Sequence, residues 1–324
     1  MMRTLSRNST SLFKLLRCYS TRPTQTQLVR VLDVPAPGSG RIRILSLARP
    51  AARNAISRQL LQELRTNIDM VASEYDSNGD EVPAKQVFGG AAGVDRKGST
   101  RALVLASDVD SAFCAGADLK ERAGFSADET AAFLANLRNT FTALSTLPIP
   151  TISAVSSLAL GGGLELALCT HMRVFASTAQ VGLPETRLGI IPGAGGTYRL
   201  PALIGLGRAR DMILTGRRVS AAEAYFLGIA DRLVEIVPEE GKEGDEYKKE
   251  FIGRAKDEVL SVAVKLAGEI CQGGPVAVRA ALQAVQYARE EVENQMYERV
   301  VGTEDRNEAL LAFREKRMPE FKGR

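Results

Sequence analysis

Apolar positions change their period several times along the chain. Arg41-Ile42-Arg43-Ile44-Leu45-Ser46-Leu47 alternates and then turns apolar, which predicts a strand entering a core. Leu60, Leu61, Leu64, Ile68 and Val71 recur at the spacing of one helix face, with Ser57 placed to cap that helix. Ala102-Leu103-Val104-Leu105-Ala106 is an unbroken apolar run, the pattern of a buried strand. Phe133, Leu134, Leu137, Phe141 and Leu144 predict a helix over 128–146, bounded by Pro148 and Pro150. Further strands are predicted at Thr151-Ile152-Ser153-Ala154-Val155 and Met172-Arg173-Val174-Phe175-Ala176, with a helix around Glu165 between them. Strand and helix alternate, so the expected class is α/β with helical crossovers.

Ser220-Ala221-Ala222-Glu223 has the form of a capping box, and Gly228 is placed to stop the helix it starts. Beyond about residue 238 the periodicity is only helical, with Pro275 at a natural first helical position. The expected organisation is a core over 28–237 and a helical region over 238–324. Residues 76–100, with Gly79, Pro83, Gly89, Gly90, Gly93 and Gly98, lose the periodicity and read as a flexible surface insertion. No internal repeat is evident.

Charge changes the picture at one end. Arg3, Arg7, Lys14, Arg17, Arg22 and Arg30 precede the first acid, Asp33, in a stretch rich in Ser and Thr. With Leu5, Leu12, Phe13, Leu15 and Leu16 at amphipathic spacing, residues 1–22 read as a mitochondrial transit peptide, and the expected location is the matrix. The formal charge of +4 falls to −1 without them, which removes any net-charge argument for nucleic-acid binding. The chain is 45% hydrophobic, yet no apolar run reaches the length of a membrane span. Four scattered Cys without a Cys-x-x-Cys pair argue against a disulfide framework, and a single His argues against a zinc site. No metal and no cofactor are expected.

Two small-residue turns carry the candidate chemistry. Phe113-Cys114-Ala115-Gly116-Ala117-Asp118-Leu119-Lys120 and Leu160-Gly161-Gly162-Gly163-Leu164-Glu165-Leu166 each run into a helix-forming stretch. The first N–H groups of a helix have no internal partner and favour negative charge, so two such turns converging would make an oxyanion hole. Glu165 follows in an apolar context, where burial would raise its pKa. Gly182-Leu183-Pro184-Glu185 supplies a second acid, which alone reads equally well as a helix N-terminal residue. Gly193-Ala194-Gly195-Gly196 lacks the ending of a phosphate loop and reads as backbone that shapes a pocket.

At these segments the chain resembles the crotonase superfamily, also called the enoyl-CoA hydratase/isomerase family, and within it the branch that hydrates 3-methylglutaconyl-CoA in mitochondria. The likeness runs from about Val29 to the closing Phe313-Arg314-Glu315-Lys316-Arg317, interrupted at 76–100. It implies a spiral of β-β-α units with C-terminal helices that build a trimer or dimer of trimers. It implies that Ala117 and Gly162 donate N–H groups to a thioester oxygen, with Glu165 activating water and Glu185 donating a proton. It places adenine around Arg53 and Ala55, gives Lys120 a CoA contact, and has Phe313 and Lys316 reach the CoA of an adjacent subunit. Alone, each of these cations reads as a solvated surface charge.

The activity implied converts 3-methylglutaconyl-CoA to 3-hydroxy-3-methylglutaryl-CoA in leucine degradation, with CoA as part of the substrate. Arg122 and Arg187 are candidates to meet the distal carboxylate of that substrate. A general short-chain enoyl-CoA hydratase of fatty-acid β-oxidation, a Δ3,Δ2-enoyl-CoA isomerase and an RNA-binding protein stay open. The helix after Ser57 holds few cations and no Lys, which speaks against the last. His171 departs from the family, which usually has Asp there; it is expected about two turns beyond Glu165 on the same helix, as a buried or capping residue.

Overall fold

A computed structural model describes residues 27–82 and 98–324. Among the described residues, ten strands form two sheets: β1 (Val29–Pro35), β2 (Arg41–Leu47), β3 (Thr100–Ser107), β4 (Ala112–Cys114), β5 (Thr151–Val155), β6 (Leu158–Leu160), β7 (Met172–Ala176), β8 (Gln180–Gly182), β9 (Arg218–Ser220) and β10 (Arg232–Val234). The larger sheet has the order β1-β2-β3-β5-β7-β10 and the smaller β4-β6-β8-β9. In the large sheet only β1 runs antiparallel to its neighbour.

The topology shows why single strands read so clearly and the second sheet did not. β3 and β4, β5 and β6, and β7 and β8 are consecutive pairs in which one strand joins the large sheet and the next, three residues long, joins the small one. Helical segments follow each pair, as the β-β-α resemblance implies. Three residues carry too little periodicity to announce a strand.

The helices are α1 (Arg58–Ala72), α2 (Leu119–Arg122), α3 (Ala127–Ser145), α4 (Gly162–Ala167), α5 (Gly196–Ile204), α6 (Leu206–Thr215), α7 (Ala221–Leu227), α8 (Asp245–Ile270), α9 (Pro275–Tyr287), α10 (Glu290–Val301) and α11 (Glu304–Glu315). All described elements after β10 are helical. The large sheet is covered on both faces, which explains the wholly buried β2 and β3. One face packs Leu45, Leu103, Leu105 and Phe175 against Leu60, Leu64 and Ile68 of α1. The other packs Ile44, Val104, Ile152 and Val174 against Ala255, Val259, Ala263 and Leu266 of α8. Small residues on α8 let that helix lie close to the strands.

Local signals hold where they were legible. Ser57 Oγ accepts from the Leu60 N–H, and all five predicted α1 residues are buried. Gly228 closes α7 in a left-handed conformation. At Ser220 only half of the box forms: its hydroxyl accepts from the Glu223 N–H, while the Glu223 carboxylate turns to Arg217. A complete capping box stands instead at Ser126 and Glu129, starting α3 one residue before the predicted position. Cys114, Cys169 and Cys271 are free thiols. No described helix is long and apolar enough to cross a membrane.

His171 corrects an expectation. The Glu165 helix ends at Ala167, so His171 lies outside it, in the bend just before β7. Its Nδ1 accepts from the Thr151 N–H at 3.1 Å, tying β7 to β5. Burial and the Arg173 charge push its pKa down to about 4, so the ring is neutral. Of the 76–100 insertion, residues 83–97 lie outside the described residues, as do 1–22.

Candidate active site

The small sheet gathers the site. β4, β6 and β8 are parallel neighbours, so their C-terminal ends emerge at one edge. Those ends continue as Ala115–Ala117, Gly161–Gly162 and Leu183–Glu185. Segments that lie some 70 residues apart in sequence therefore become adjacent strand ends.

The first turn is held from below. Ile56 N–H donates to the Gly116 carbonyl at 2.8 Å and Asp118 N–H donates to the Ile56 carbonyl at 3.1 Å. This parallel bridge uses the groups on either side of Ala117 and turns the Ala117 N–H away from Ile56. Asp118 caps α2 by accepting from the Lys120 and Glu121 N–H groups, and Arg49 fixes it with a 2.7 Å ion pair. The second turn needs two special glycines. Gly161 has φ +54°, and a Cβ there would meet the Glu185 carboxyl at 2.9 Å. A Cβ on Gly163 would lie 2.1 Å from the Cys114 carbonyl oxygen, so α4 can pack on β4 only without a side chain. A Cβ on Gly162 would sit 3.6 Å from the Ala117 nitrogen, which measures how closely the two turns approach. Neither the Ala117 nor the Gly162 N–H has a hydrogen-bond partner among the described residues.

Both acids border the cleft that these turns open. It measures about 530 Å³ and is walled by Leu134, Leu137, Leu160, Leu188, Ile190 and Ile191, among others. Glu165 is 2% exposed and Glu185 8%. They differ in their partners. Glu165 Oε1 accepts two N–H groups, from Ala194 and Gly196, each at 2.8 Å. The glycine-rich 193–196 turn thus clamps a carboxylate, a more specific role than shaping the pocket. Burial raises the Glu165 pKa, while these two N–H groups and the charges of Arg199 and Arg138 pull it back. Glu185 Oε2 is buried without a hydrogen-bond partner among the described residues. Burial pushes the Glu185 pKa up to about 7, and the Glu165 charge adds to the rise. The two carboxyls therefore differ in their surroundings: two backbone N–H groups hold one oxygen of Glu165, while Glu185 has a buried oxygen without a partner among the described residues.

Of the residues singled out from sequence, Ala117, Gly162, Glu165, Glu185 and Arg122 line this cleft. Arg53 and Lys120 are exposed outside it. Ala55 is half-buried outside it, and its carbonyl accepts from Arg49. Phe313, 85% exposed, and Lys316 lie at the far end of α11. Arg187 corrects an expectation: its Nε donates to the Thr215 carbonyl at 2.9 Å, and it does not border the cleft. Arg138, which does, was missed, because on the sequence it is one arginine within an amphipathic helix. No group of three or more His, Cys, Asp or Glu able to hold a metal occurs among the described residues.

Comparison with known proteins agrees with this geometry. A profile described as enoyl-CoA hydratase/isomerase matches residues 92–246. Methylglutaconyl-CoA hydratase 1, mitochondrial, of Pyricularia oryzae is 64% identical over 316 residues, which are 95% of this chain and 90% of that protein. Human methylglutaconyl-CoA hydratase, mitochondrial, is 37% identical over 95% of this chain and 81% of its own length. Among solved structures, enoyl-CoA hydratase from Bacillus anthracis superposes with a TM-score of 0.74 at 36% identity, covering 92% of this chain and all of that one.

Proposed function

The chain belongs to the enoyl-CoA hydratase/isomerase family, and on that premise we propose that it hydrates 3-methylglutaconyl-CoA to 3-hydroxy-3-methylglutaryl-CoA. The observation that carries the reading is the unequal pair of buried carboxyls facing one cleft. The thioester oxygen sits between the Ala117 and Gly162 N–H groups, which stabilise the enolate as its charge develops; one such donor is worth about 3–4 kcal/mol. Ionised Glu165 takes a proton from water as the water oxygen bonds to Cβ. Neutral Glu185 gives its proton to Cα. The proton has then moved from Glu185 to Glu165, and exchange with solvent restores the pair. No further cofactor enters this scheme.

Two acids suit hydration better than isomerisation, which one acid can serve. The P. oryzae and human relatives are named for methylglutaconyl-CoA and for mitochondria, which favours that substrate and the same organelle. We place the chain in the matrix, with residues 1–22 as the import signal. In this reading Arg53, Ala55 and Lys120 contact CoA outside the cleft, and Phe313 and Lys316 reach the CoA of a neighbour in a trimer or dimer of trimers. Phe226, 79% exposed, and Leu214, 71% exposed, fit covered positions in such an assembly. No nucleic-acid partner is included, since Arg58 and Arg65 of α1 pair with Glu129 and Asp69.

The test is loss of the enoyl-thioester absorbance with a panel of acyl-CoAs. The expected result is a kcat/KM for 3-methylglutaconyl-CoA well above that for crotonyl-CoA. A preference for crotonyl-CoA would make the chain a general short-chain hydratase, and no loss with any member would refute hydration.

A further inference from the structure

If the substrate is the one just proposed, on which this inference rests, its second carboxylate lies only one methylene beyond the carbon that takes water. A cation that recognises it must stand about as near the reacting carbon as the two glutamates do. We propose that Arg138 is this cation, a specificity-determining residue that receives the distal carboxylate. Arg138 projects from α3 into the cleft beside Leu134 and Leu137. Its Nε donates to the Gly193 carbonyl at 2.7 Å, which fixes the guanidinium plane. Its two terminal nitrogens have no hydrogen-bond partner among the described residues. They form an end-on fork that matches a carboxylate.

The position is close to the chemistry. Gly193 precedes Ala194, whose N–H clamps Glu165, so one turn holds both the water-activating carboxylate and the arginine. The Arg138 charge also acts on Glu165 itself. The other arginines nearby are less suited. Arg199 donates to the Ala194 carbonyl and to Ser145 and does not line the cleft. Arg122 lines it, but its guanidinium lies over the Phe133 ring at 5.9 Å. Arg187 is turned to Thr215. Arg138 is exposed at the cleft, so an arginine held there by one nitrogen would favour a chain that ends in an anion through a charge-assisted pair that a purely apolar chain cannot make.

The experiment compares 3-methylglutaconyl-CoA with 3-methylcrotonyl-CoA, which lacks only the distal carboxylate. Both are run on the wild-type enzyme, Arg138→Gln and Arg138→Lys. The ratio of the two kcat/KM values is taken within one preparation, so any loss of folded enzyme cancels. A charged hydrogen bond of this kind is worth roughly 10- to 100-fold. Arg138→Gln should lower the ratio by that factor, and Arg138→Lys should recover part of it by restoring charge without the fork. An unchanged ratio, or equal loss on both substrates, overturns the proposal and leaves Arg138 as a brace for the Gly193 turn. A wild-type enzyme with no preference for the carboxylated substrate would instead overturn the substrate reading, and this inference with it.

Discussion

Replacing Glu185 with Gln should cost activity and return stability, and the two effects should follow different pH dependences. The substitution keeps the shape of a buried side chain and removes its titration. A carboxyl whose pKa is about 7 when folded and 4.5 when free disfavours the charged folded state. Each pKa unit is about 1.4 kcal/mol, so the ceiling is roughly 3 kcal/mol. Water at the mouth of the cleft screens the group, which brings the expected value to about 1–2 kcal/mol. The folded pKa is the higher one, so the wild type has its full stability below about pH 4.5. It loses this share as pH rises to about 7 and is level above that. The variant has no such loss. Its melting temperature relative to wild type should therefore rise between about pH 5 and 7 and level off by pH 8, by a few degrees for a chain of this size. Its turnover should fall at least 10²-fold, the usual range for a lost general acid. Thermal melts across pH 5–8 and single-substrate kinetics measure both. A melting difference that stays flat with pH would refute the buried neutral acid, and near-normal turnover would refute its role as proton donor.

Wild-type hydration should decline as pH rises through about 7, as Glu185 loses its proton; a pH–rate profile without that limb in Glu185→Gln gives the assignment. Glu165→Gln should also reduce turnover by about 10²-fold or more, and acyl-CoA binding by calorimetry should survive; turnover within threefold of wild type would remove Glu165 from the scheme. Adjacent glycines should behave oppositely. Gly162→Pro, at a first helical position that tolerates proline, should stay folded by circular dichroism and lose about 10²–10³-fold in kcat with its N–H. Gly163→Ala should lower the melting temperature sharply, because its Cβ would meet the Cys114 carbonyl oxygen at 2.1 Å. Lys316→Ala should raise KM more than it lowers kcat, since a CoA contact remote from the reacting bond serves ground and transition states alike; a kcat loss at constant KM would contradict that.

How much of this was legible depends on the range of the interactions. The five buried positions of α1, its Ser57 cap, the apolar runs of β2 and β3, and the Gly228 stop are set by neighbours within a few residues, so spacing alone displayed them. The two glycine turns were legible for the same reason, since free N–H groups at a helix start are a local property. The three-residue strands β4, β6 and β8 left no such trace; the sheet between them is built from backbone pairing across distant segments. The sequence by itself determined the α/β class and the family resemblance, and it singled out the two candidate acids. Only the tertiary structure decided that three parallel strand ends bring those acids to one cleft. It also decided that the Ala194 and Gly196 N–H groups hold Glu165 while Glu185 Oε2 has no partner among the described residues, and that Arg138 rather than Arg187 borders the cleft. Proton affinity and reach depend on burial, charge and direction in space. None of these is a property of the spacing between residues along a chain.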